Sequence, residues 1–114
     1  YKMKKIYSEK LRVLMARHLV DKKDIANIIG KSYRQTSKIL HRELSHTGKP
    51  FVFDIVEASK IVLFFRNKEY MLWLSKNPNA TELERKQAQD RIAREVTLDG
   101  IFFEDMLSNE NKSA

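Results

Sequence analysis

The chain contains no cysteine, only three glycines and two prolines, and no apolar run near the roughly 20 residues that a membrane span requires. Without cysteine there is no disulfide scaffold, no thiolate zinc site and no thiol nucleophile. Without a long apolar run there is no membrane partner, and residues 1–20 carry charges throughout, so no signal peptide and a cytoplasmic location are expected. Met3 is a candidate natural start, with Tyr1 and Lys2 ahead of it. Catalytic signatures are also missing: no Gly-rich phosphate loop, no H-E-x-x-H, and no carboxylate at a telling distance from His18, His41 or His46. Glu104 and Asp105 are adjacent, which puts them on different sides of a helix and not in a paired-carboxylate site. Enzymatic activity, a catalytic residue, a metal ligand and a cofactor are therefore not expected. His18 falls on or beside an apolar stripe and reads as structural, since no second ligand lies at metal spacing. No segment alternates apolar and polar residues with period two, so no strand is expected.

What is present is enough apolar residue for a core, 42%, and a net charge of +7 that is unevenly spread. Residues 1–49 hold 13 Lys/Arg against 4 Asp/Glu, whereas residues 50–114 hold 9 against 11. A strongly basic front and a slightly acidic back suggest a polyanion-facing region and a second region with another task. The length suits one domain, or one small domain with an appendage.

Asp21–Leu44 organises the chain. Asp21 and Asp24 cap a short helix whose buried face is Ile25, Ile28 and Ile29, and Lys22 and Lys23 stand at its N-terminus, placed for phosphate. Small Ala26 sits where two helices must approach, and Gly30 where the chain must turn. Ser32 and Gln35 form an S-x-x-Q capping box that opens the next helix, about 33–44. Thr36, Ile39, Leu40 and Glu43 share one side of it, and Arg34, Ser37, Lys38 and His41 the other. The first side packs; the second is polar and basic, as a helix entering a DNA major groove requires.

The pattern Ile25-Ala26, Ile29-Gly30, Ser32, Thr36, Ile39 resembles the helix-turn-helix of Cro/CI-type phage repressors. Gly48-Lys49-Pro50-Phe51, Glu57 to Ile61 and Phe64-Phe65 resemble the loop and following helix of small repressor-like proteins of phages and mobile elements, so the likeness covers roughly residues 8–75. Lys31 departs from it at a turn position that is usually aliphatic, and Thr36 replaces the usual Val or Ile. Four successive capping signals with helical apolar spacing predict an all-α protein; with the resemblance they imply a five-helix repressor-like domain at 1–76 with a basic N-terminal arm, followed by a C-terminal helical extension at 77–114 that lies beyond the likeness. It implies a sequence-specific transcriptional regulator acting on double-stranded DNA. The alternative is a helix-turn-helix scaffold that binds another protein through its C-terminal extension, as anti-repressors or phage-encoded inhibitors do.

In the DNA reading, Tyr33, Arg34, Gln35, Ser37 and Lys38 contact base edges: Arg34 bidentate to guanine, Lys38 to guanine or phosphate, Gln35 to adenine if the cap releases it. Lys22, Lys23, Lys31, Ser32, His41, Thr47 and Lys49 contact the DNA backbone. Lys2, Lys4 and Lys5 form either a backbone-reaching arm or a solvated tail.

Further helices are predicted near 9–20, with Leu11, Leu14, Met15, His18 and Leu19 as its stripe, at 55–66 after an Asp54/Glu57 cap, and at 82–96 after a Thr81/Glu84 cap. Glu69–Ser75 packs Tyr70, Met71, Leu72, Trp73 and Leu74 together, and Asn77–Ala80 breaks the chain. A domain of about 70 residues cannot hide all of this apolar surface. A homodimer is therefore expected, its interface built from Ile101, Phe102, Phe103 and Met106 with Trp73 beneath or beside them; the other possibility is that the C-terminal helices fold back on their own subunit.

Overall fold

The computed structural model describes residues 9–41, 43, 45–49 and 51–102, and those residues form six helices and no strand. The all-α class expected from the sequence is the observed one. The helices are α1 (Glu9–Arg17), α2 (Lys22–Ile29), α3 (Tyr33–Leu40), α4 (Ile55–Lys76), α5 (Glu82–Glu95) and α6 (Leu98–Phe102). None is long and apolar enough to cross a membrane. The basic segment before Ser8 and everything after Phe102, with Phe103 and Met106, lie outside the described residues.

Four starts obey the same local chemistry. Asp21/Asp24, Ser32/Gln35, Asp54/Glu57 and Thr81/Glu84 each form a reciprocal capping box: the first residue's side chain accepts from the third helical N–H, and the later side chain accepts from the cap's own N–H. Each satisfies two backbone donors that would otherwise lack partners, and a good cap contributes about 1 kcal/mol.

Helix α1 stops short of the predicted boundary. Leu19 adopts a left-handed conformation with φ 54, and the Val20 N–H closes back on the Met15 carbonyl at 2.8 Å. This is the wide closing bond of a left-handed helix end. The turn throws Leu19 outward, 89% exposed, and Val20 takes the core place expected of it.

Helix α4 merges the two segments read as 55–66 and 69–75 into one helix of 22 residues, about 33 Å long at 1.5 Å per residue. No glycine or proline interrupts it. Its Ala58, Ile61, Val62 and Phe65 form the centre of the core, against Leu11 and Leu14 of α1, Ile25 and Ile29 of α2, and Leu40 of α3.

The segment after Asn77 packs into that same core. Ile92, Val96, Ile101 and Phe102 are buried within the cluster, and α6 lies on α1 and α4. The end of α5 is held from two sides: the Arg66 guanidinium donates to the carbonyls of Val96 (2.7 Å) and Ala93 (3.2 Å), and Lys10 Nζ donates to the carbonyl of Glu95. This corrects the expected dimer anchors. Ile101 and Phe102 are covered by their own subunit, Phe102 edge-on to Phe53 at 5.8 Å, so neither offers a surface. Trp73 is not beneath them either: it stacks on Tyr70 near the far end of α4, about 27 Å along the axis from its first turn.

Candidate nucleic-acid interface

Helices α2 and α3 meet through their small and β-branched residues. Ile25, Ala26 and Ile29 of α2 and Thr36, Ile39 and Leu40 of α3 are buried. Between them Gly30 takes φ 74, and its N–H and that of Lys31 both donate to the Ala26 carbonyl, at 2.9 and 3.1 Å. Only a residue at ease with positive φ makes this turn cheaply. Thr36, where an aliphatic residue is usual, keeps its hydroxyl satisfied by donating to the Ser32 carbonyl at 3.0 Å, so the methyl packs without a stranded polar atom.

The opposite side of α3 carries Tyr33, Arg34, Ser37, Lys38 and His41. Tyr33, Arg34 and His41 are exposed, and Ser37 and Lys38 half-buried. No acidic side chain lies within the helix. His41 at its C-terminal end meets Lys22 Nζ through Nε2, bringing the start of α2 to the same surface. Beyond α3 the chain doubles back: the Phe51 N–H donates to the Glu43 carbonyl (3.2 Å) and the Ser45 N–H to the Lys49 carbonyl (2.7 Å). Gly48 with φ 83 makes the bend. The bend leaves Thr47 and Lys49 exposed beside α3, with the Thr47 and Ser45 hydroxyls bonded to each other at 2.8 Å.

Several expected contacts are committed elsewhere. Gln35 Oε1 accepts from the Ser32 N–H at 3.3 Å and from the Ser32 hydroxyl at 3.2 Å. A bidentate grip on adenine needs that oxygen as well as the amide N–H, so Gln35 and Ser32 serve the cap. Lys31 is an ion-pair partner, with Nζ 3.0 Å from Glu57 Oε2. Its charge is neutralised within the fold and is not spare for phosphate. Lys38 holds its ammonium 5.1 Å from the Phe51 ring centre, a cation–π contact that leans it toward the loop. At the start of α2 the capping carboxylates of Asp21 and Asp24 stand at the helix end, so Lys22 and Lys23 present their charge as side chains.

Sequence reasoning missed the Lys31–Glu57 pair, although Glu57 was read as a cap. Both roles coexist: Oε1 accepts from the Asp54 N–H at 3.0 Å while Oε2 holds Lys31, tying the turn to α4. His18 is structural in the fold, its Nε2 2.5 Å from Glu69 Oε2, which also receives Arg17 Nε at 2.9 Å. Among the described residues no three potential metal ligands gather. Against known proteins the chain matches no family model, no curated protein and no solved structure.

Proposed function

We propose that this chain is a sequence-specific double-stranded DNA-binding regulator of transcription whose α3 enters the major groove. The observation that carries the reading is the outward side of α3: Tyr33, Arg34, Ser37, Lys38 and His41 with no acid among them, on a helix whose other side is fully packed. An eight-residue helix backed this way is stiff enough to present side chains to base edges. Arg34, exposed and outside the caps, is the base reader, with Tyr33 and Ser37 beside it. Lys22, Lys23, His41, Thr47 and Lys49 ring the helix and contact phosphates. The basic balance of residues 1–49 supplies the attraction that is independent of sequence.

Mobility-shift titration with DNA from around the protein's own gene tests the reading. A discrete complex that survives excess random DNA is expected; its absence overturns the proposal. Arg34→Ala is expected to cost roughly 1–3 kcal/mol and to relax preference at one base pair. Equal weakening on specific and random DNA would reduce Arg34 to a phosphate contact. Lys23→Ala is expected to lower the salt dependence while leaving preference intact.

A further inference from the structure

A hollow of about 290 Å³ opens where the end of α1 meets α2 and α4, and no residue of α3 lines it. Phe64 and Ile28 give it an apolar lining, and His18 gives it a fixed side. The His18 side chain is 6% exposed, bonded through Nε2 to Glu69 Oε2 at 2.5 Å, with its ring against Phe65. Leu19 stands on the edge, held at φ 54 and 89% exposed. A leucine kept in the left-handed region with nothing to cover it is strain without return in the free chain, and strain beside a hollow points to a use for the hollow. The lining also carries both signs of charge. The Asp24 carboxylate and the Lys68 ammonium belong to it, and among the described residues they form no ion pair with each other. Lys68 lies over the Phe64 ring, 5.4 Å from its centre. One carboxylate oxygen of Asp24 accepts from the Asp21 N–H at 3.0 Å, and the other keeps its acceptor sites.

We propose that this hollow binds an α-amino acid with an apolar side chain. The ligand carboxylate meets Lys68 and Asn27, its ammonium meets Asp24, and its side chain meets Phe64, Ile28 and Leu19. The charges choose the class. A simple carboxylate brings its charge against Asp24, and a simple amine against Lys68, whereas a zwitterion satisfies both. The apolar lining then asks for a side chain larger than that of glycine, one that covers Phe64 and gives Leu19 the contact it lacks in the free chain. The volume stands at the lower limit of small-molecule sites and suits a ligand of this size. Asp24, Asn27 and Lys68 are exposed, so solvent screens the charged contacts and the affinity is modest, with a Kd of about 1 mM. The site is separate from the α3 surface and does not depend on the proposed function.

Amide chemical shifts of the full chain, followed during titration with L-leucine and with L-phenylalanine to about 20 mM, test the site. Saturable shifts are expected at Leu19, Asp24, Asn27 and Lys68 with at least one of the two. Glycine, 4-methylpentanoate and 3-methylbutylamine lack in turn the side chain, the ammonium and the carboxylate. Each is expected to bind at least fivefold more weakly. Lys68→Gln is expected to weaken binding at least fivefold with unchanged helical circular dichroism. Leu19→Gly, which removes the strain and the contact together, is expected to weaken it at least threefold. Four results overturn the proposal: no saturable shift with either amino acid, equal binding of any one of the three analogues, or full affinity in either variant.

Discussion

Leu19 is the least comfortable residue in the described chain. At φ 54 its Cβ crowds the following carbonyl, and at 89% exposure its side chain gains nothing from burial. Glycine is the usual occupant of such a helix end. Leu19→Gly is expected to stabilise the fold by about 0.5–1 kcal/mol, since relief of the left-handed strain outweighs the added freedom of the unfolded chain. Urea denaturation at constant m reads the change; a loss of stability would mean that Leu19 has a packing role. Thr36 shows the opposite case, a residue that departs from the resembled pattern at little cost because its hydroxyl finds the Ser32 carbonyl.

Between elements, the Lys31–Glu57 pair links the turn after α2 to the first turn of α4. The Glu57 side chain is 8% exposed and that of Lys31 33%. Lys31→Met restores the aliphatic residue usual at this turn position, yet it is expected to destabilise by roughly 2–3 kcal/mol, below the full 3–5 for a wholly buried pair because solvent reaches Lys31. Adding Glu57→Gln to it is expected to recover most of the loss, the carboxamide oxygen still accepting from the Asp54 N–H. Thermal unfolding of the two single variants and the double variant decides, and additive losses would rule out the coupling.

At the start of α5, hydrogen bonds from the Thr81 backbone N–H and then its hydroxyl region hold the Glu84 carboxyl below its ordinary 4.5. A depressed carboxylate contributes its stability fully above the unfolded value and loses it as pH falls through the lower folded one. The first turn of α5 is therefore expected to fray as pH falls below 4.5, with loss of exchange protection at the Thr81 amide, which donates to the Glu84 carboxylate. In Glu84→Gln that pH dependence should vanish.

For the whole molecule, the decisive fact is that one core spans both sides of Asn77. Phe102, 5% exposed on a helix that packs on α1 and α4 and with its ring edge-on to Phe53, belongs to it as Phe65 does. Phe102→Ala is expected to cost about 3–5 kcal/mol, the loss of a buried aromatic plus the cavity it leaves. Deleting 97–114 is expected to unfold or severely weaken the subunit, because Leu98, Ile101 and Phe102 leave with it. A truncated chain that keeps its melting temperature would show that α6 is dispensable. The surplus of apolar surface inferred from the sequence remains at Met71, within the segment expected to carry it, and lies also at Leu63 of α4 and Leu83 of α5.

The sequence by itself determined what is local. Four capping boxes announced four helix starts, since each needs only residues three apart. Gly30 announced the turn, because positive φ is a property of one residue. The spacing of Thr36, Ile39 and Leu40 separated the packed side of α3 from the side bearing Arg34 and Ser37. Only tertiary structure decided that Glu57 spends one oxygen on Lys31, that Lys38 leans on Phe51, and that Arg66 and Lys10 close the end of α5. Only tertiary structure placed Ile101 and Phe102 in the core and left Leu63 outside it. Apolar spacing marks which residues seek cover, but a stripe carries no address for what covers it. That is settled by the packing of distant elements, where α4 is covered by α2, α5 and α6 and still leaves Leu63 and Met71 exposed.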